Sequence, residues 1–189
     1  MIGTAQKACI LYGFAEGQRH GVRMRRALKA RGYRVVRRPH AADLIIAHSG
    51  GYLMLPKLKP EQRVLIIDAS YRPKRSPLYC FVIHLWYDIL DLAIRPRNTL
   101  FWLWKSLLNL YYMVVHLPRH TRLYRRYKRI DFHTVVSGPH IVITQSEDVS
   151  WFDPSAFPPE VRARIYYVEA GHDDCWRHPE TYLDFVEDD

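Results

Sequence analysis

Short stretches rich in β-branched and aliphatic residues recur along the chain, each closed by a glycine, a proline or a polar cluster. "KACILY" at 7–12 ends at Gly13, "YRVVRR" covers 33–38, "ADLIIAH" covers 42–48 and "RVLIIDAS" covers 63–70. "HIVITQSED" at 140–148 is a fifth, and "RARIYYVEAGHDD" at 162–174 contains a sixth. Short apolar runs without strict alternation predict strands covered on both faces. Between them, "EGQRHGVRMRRALKARGY" at 16–33 predicts a helix stopped by Gly32. "GGYLMLPKL" at 50–58 starts a second helix that must end near Pro56. "PETYLDFVED" at 179–188 predicts a last helix, with Pro179 in its first turn. Strands alternating with helices give a three-layer α/β/α sandwich around a mostly parallel sheet of about six strands.

One region breaks the alternation. Residues 71–139 hold "SPLYCFVIHLWYDILDLAI" and "TLFWLWKSLLNLYYMVVHL", each long enough for a helix of several turns. In the second, Leu100, Leu103, Trp104, Leu107, Tyr111 and Val114 fall on one helical face, yet Phe101, Trp102, Leu108 and Tyr112 make the rest apolar too. A helix apolar on most sides is buried on most sides or spans a membrane. Lys105, Asn109 and His116 interrupt a span, and the next strand must return to the same sheet. The reading adopted is a helical cap, residues 71–139, inserted after the fourth strand of a single domain spanning 1–189. Contact with a membrane surface is the weaker reading.

The remaining totals narrow the class. A chain of 189 residues that is 48% hydrophobic suits one folded domain and excludes a disordered one. Cys9, Cys80 and Cys175 are an odd, widely spaced set without a CxxC pair, which argues against a disulfide framework or zinc site and fits a reducing, cytoplasmic setting. "MIGTAQKACILYGF" lacks the basic and long apolar regions of a signal peptide. The net charge of +9 gathers at "RMRR", "RVVRR" and "RLYRRYKR". No nucleic-acid-binding motif accompanies it, so it reads as a solvated basic surface, with no nucleic-acid partner expected.

The chemistry centres on "AHSGG" at 47–51. Ligands of parallel α/β sheets bind at the carboxyl ends of strands, where Ser49 is predicted to lie. The stretch resembles the G-x-S-x-G nucleophile elbow, with Ala47 in place of the first glycine. Small residues two before and two after the serine are needed because strand and helix approach closely. A serine nucleophile needs a base, and the base an orienting acid. His172, after Gly171, follows the last predicted strand, and Asp148 follows the one before it. With "ILYGF" at 10–14, these residues make the chain similar to the α/β-hydrolase superfamily over most of its length outside the cap, in a minimal form lacking two strands of the fuller fold.

That resemblance implies a Ser49–His172–Asp148 triad, with the backbone N–H groups of Phe14 and Gly50 as the oxyanion hole. Tyr12 stands where many such enzymes carry histidine. Other assignments stay open. His48 adjoins Ser49 but on the opposite side of a strand end, and His178 belongs to the final helix. Asp68 ends the fourth strand, a position some members of the superfamily use, while Asp153 and Glu147 flank Asp148. Asp173 and Asp174 fit a cap of the final helix better. The implied activity is hydrolysis of carboxylic esters, esterase- or lipase-like, through an acyl-enzyme without cofactor or metal. The aromatic cap points to a small-molecule ester with an apolar acyl group. A thioesterase, amidase or peptidase on the same triad, or a non-catalytic binding protein of this fold, are the alternatives.

Overall fold

The computed structural model describes residues 5–13, 18–69, 104, 107, 111, 115, 118, 122, 125–126, 135–136, 140–146, 155, 157–171 and 174–186. Six strands form one sheet: β1 (Lys7–Leu11), β2 (Arg34–Val36), β3 (Leu44–His48), β4 (Arg63–Ile67), β5 (Ile141–Ser146) and β6 (Ile165–Val168). Their order is β2-β1-β3-β4-β5-β6, and every neighbouring pair is parallel. The central strands β3 and β4 show why the apolar runs do not alternate. All five residues of β3 are buried, as are four of the five in β4, because both faces are covered.

Helix α1 (Val22–Ala30) packs Met24, Ala27 and Leu28 onto one face, with Ala8, Ile10, Leu44, Ile46, Leu65 and Ile67 beneath them. Gly32, at φ +83°, ends it in a left-handed turn, as its place in the sequence predicts. The same face takes Trp176, from a 3-10 turn (Asp174–Trp176), and Tyr182 and Leu183, from α3 (Pro179–Leu183). The opposite face packs Cys9, Leu11, Ile45, Ala47, Val64, Ile66, Ile141 and Ile143 against Tyr52, Leu53, Val136, Phe157 and Val161, the last from α2 (Pro159–Arg162). These are the three layers read from the sequence.

Two expectations change. The helix expected after Ser49 is a 3-10 helix, Ser49–Met54. Two glycines weaken an α-helix there, and Leu55, ahead of Pro56, turns out to φ −56°, ψ 133°. In the insertion, Trp104, Leu107 and Tyr111 are helical, but each is more than half exposed, as is Val115. The helical spacing holds; the burial expected of that face does not. Leu100, Leu103 and Val114, like most of the expected cap, lie outside the described residues. Among the described residues no helix is long and apolar enough to cross a membrane.

Candidate active site

All six strands point the same way, so their carboxyl ends share one edge of the sheet. The chain passes from β1 outward to β2 and then back across to β3 on the other side of β1. The carboxyl ends of β1 and β3 therefore flank the point where the winding reverses, and a crevice opens there in open α/β sheets. Gly13 follows β1 at this point, and Ser49 follows β3.

Ser49 has φ +51°, while His48 before it is still extended at φ −98°, ψ 139°. A left-handed non-glycine residue is uncommon and costs on the order of 1 kcal/mol or more. Only packing that leaves no alternative holds it, and that packing is visible. A Cβ on Gly51 would collide with the Leu11 carbonyl oxygen, so the 3-10 helix rests directly on the end of β1. A Cβ on Gly13 would stand 2.8 Å from the Ser49 Cβ and 3.0 Å from the Gly50 nitrogen. The two glycines thus let three backbone segments converge, and the missing side chain at Gly13 leaves the space beside the Gly50 N–H unfilled. Ala47, entirely buried, fits the demand for a small residue two before the serine.

On the α1 face, Tyr12 stacks on Trp176 at 5.6 Å between ring centroids, and the His48 ring meets Trp176 edge-on at 4.9 Å. Arg25 Nη1 donates to the Tyr12 hydroxyl at 2.8 Å. His48 is fully buried, with Nε2 3.9 Å from Asp68 Oδ2. His178 is mostly exposed and 4.0 Å from Asp174 Oδ1 at the start of α3. Asp174 itself opens the 3-10 turn, its carbonyl accepting from the backbone of Arg177 and His178.

Two features at this edge go beyond the sequence expectations. Asp68 is fully buried and left-handed at φ +48°, with its N–H on the Thr144 carbonyl at 2.9 Å. Gln145, next to the end of β5, is 1% exposed, and its amide N and O meet no hydrogen-bond partner among the described residues. A glutamine in "VITQSED" gives no sign of that burial; only the strand's register does. Phe14, Asp148 and His172 lie outside the described residues, as do Glu147, Asp153 and Asp173. In the sequence Asp148 comes two residues after the end of β5 and His172 four residues after the end of β6. Cys9, mid-strand in β1, is no competing nucleophile, since burial pushes its thiol up to about 11. Among the described residues no cluster suits a metal ion.

No family model and no curated protein matches the chain. Solved structures do. An α/β-hydrolase-fold protein from Nakamurella multipartita aligns with 99% of this chain and 92% of its own, at 16% identity and a TM-score of 0.52. An α/β-hydrolase enzyme from a lagoon-sediment metagenome of Mar Chica, Morocco, aligns with 98% of this chain and 90% of its own, at 14% identity and a TM-score of 0.49. A proline iminopeptidase-related protein of Thermus thermophilus aligns with 97% of this chain and 88% of its own, at 15% identity and a TM-score of 0.49. With six parallel strands in this order and a left-handed serine after the third, the chain has the α/β-hydrolase fold.

Proposed function

We propose that the protein is a serine hydrolase acting on carboxylic esters, with Ser49 as nucleophile, His172 as base and Asp148 as the acid that orients it. The observation carrying this reading is the left-handed backbone of Ser49 at the carboxyl end of β3, wedged between Gly13 and Gly51. A serine in an ordinary turn has no need of that conformation. In the proposed reaction His172 takes the Ser49 hydroxyl proton as Oγ attacks the ester carbonyl carbon. The oxygen that gains negative charge is held by the N–H groups of Gly50 and Phe14, consistent with the space left beside Gly50 by Gly13. The carbon–oxygen bond to the alcohol breaks, and His172 returns the proton to the departing oxygen. Water, deprotonated by His172, then attacks the acyl carbon and releases the carboxylic acid and free Ser49. No metal or cofactor takes part in this scheme.

The test is covalent labelling by a fluorophosphonate, followed by turnover of p-nitrophenyl esters of graded chain length. Wild-type protein is expected to label and to prefer apolar acyl groups. Ser49→Ala is expected to lose both labelling and turnover with its circular dichroism unchanged. Folded wild-type protein that never labels would sink the hydrolase reading and leave a non-catalytic binding role.

A further inference from the structure

Seven large hydrophobic side chains are exposed among the described residues, and four of them sit together: Trp104 at 66%, Leu107 at 53%, Tyr111 at 60% and Val115 at 51%. All four are helical, spaced three, four and four residues apart, and so share one face. Three, seven and ten residues beyond Val115, Pro118, Arg122 and Arg125 are exposed and helical as well. Beside them Arg126 Nη1 donates to the Leu53 carbonyl at 3.3 Å, which ties this helical segment to the turn that begins at Ser49. Across residues 92–130 the sequence has nine Lys and Arg and no Asp or Glu.

We infer that this face docks the protein on an anionic lipid surface, with the apolar stripe in the headgroup–acyl boundary and the arginines against lipid phosphates. The side chains select that occupant. Trp and Tyr are the residues that settle at a membrane–water interface, Leu and Val reach the acyl region, and basic residues beside them meet anionic headgroups. A nucleic acid would pair the arginines with phosphates but leave Leu107 and Val115 against water. A second copy would bring the same uncompensated positive charge to the contact. Lys105 and Asn109 interrupt the apolar run, and among the described residues no helix is long and apolar enough to cross a membrane, so the stripe is assigned to the surface. The inference is independent of the hydrolytic reading, since docking needs no reaction at Ser49.

The test is co-sedimentation of the full chain with phosphatidylcholine vesicles, with and without phosphatidylserine, at low and high salt. Binding to the phosphatidylserine vesicles is expected, weakening with salt. Leu107→Ser with Val115→Ser should lower partitioning roughly tenfold, and Arg122→Glu with Arg125→Glu should remove the preference for phosphatidylserine. Should the serine pair fail to fold, the charge-reversal pair, altering only exposed guanidinium groups, carries the test by itself. Ser49→Ala is expected to bind as wild type does, which separates docking from hydrolysis. Folded wild-type protein that ignores both vesicle types overturns the inference, as does vesicle binding that neither variant pair weakens. Two further results overturn it by assigning the face elsewhere. One is a DNA duplex that displaces the protein from vesicles and binds the serine pair unchanged. The other is a dimer that only the serine pair dissociates.

Discussion

At the amino ends of the strands, polar groups come in matched sets. The Lys7 and Asp43 backbones exchange bonds through the Asp43 carboxylate and the Lys7 carbonyl, at 2.7 and 2.8 Å. Buried Gln62 donates to the Ala42 and Pro39 carbonyls and accepts from the Lys59 N–H. Arg63 reaches Tyr33, Gln6 and the Val186 carbonyl, and Arg164 reaches the Ile141 and Val136 carbonyls. At the carboxyl ends the materials differ: two left-handed residues, Ser49 and Asp68, and the buried polar side chains His48, Thr144 and Gln145. Each of these groups at the first edge has its partners. The second edge holds strain and, at Gln145, a buried amide without a partner among the described residues, both unfavourable to folding. Strain kept at one end and, among the described residues, absent from the other marks the end where substrate chemistry is expected.

Substitutions can break or sharpen that contrast. The largest effect is expected at the carboxyl edge. Asp148→Asn should lower ester turnover by on the order of 10⁴-fold, because asparagine favours the wrong imidazole tautomer, with little change in melting temperature. Asp68→Asn should cost far less activity; the reverse ranking would move the acid to β4. Next is Gly51→Ala, whose added methyl group meets the Leu11 carbonyl and forces the elbow off β1. It should cost roughly 3 kcal/mol in a urea titration and most of the fluorophosphonate labelling.

At the amino edge, Gln62→Leu removes the donors of two carbonyls, one of them at a buried residue. About 1–3 kcal/mol of stability should be lost with turnover per folded molecule unchanged. A fall in turnover there would show that the two edges are coupled. The smallest effect is Asp184→Ala. Its carboxylate is solvent-exposed in the ion pair with Arg31, so the change should stay below about 1 kcal/mol.

The contrast is only half legible in the sequence. Strands buried on both faces announce themselves as unbroken apolar runs, so "LIIAH" and "VLII" reveal a mostly parallel sheet, though not the order of its strands. Ser49 is legible because its neighbours are small, a local requirement written in adjacent letters. The strain at Asp68 is not. Aspartate tolerates left-handed backbone, but nothing in "IIDAS" separates that from an ordinary strand end. Gln62 is invisible for another reason. A polar residue in "KPEQR" reads as solvent-facing, and its burial comes from carbonyls some twenty residues away in sequence. Helical spacing correctly groups Trp104, Leu107 and Tyr111, but periodicity fixes which residues share a face and not what that face meets.

The long excursion between β4 and β5 also has a consequence in time. During synthesis β1 to β4 emerge first, and they are contiguous in the sheet, so they can pair as soon as they appear. The side of β4 that will take β5 then waits while about 70 more residues are made, on the order of ten seconds at ordinary elongation rates. For that interval an apolar strand with a row of unpaired backbone groups is open to whatever passes. The nascent protein is at its most vulnerable then, and a chaperone bound to this edge during translation would protect it better than one acting on the finished chain.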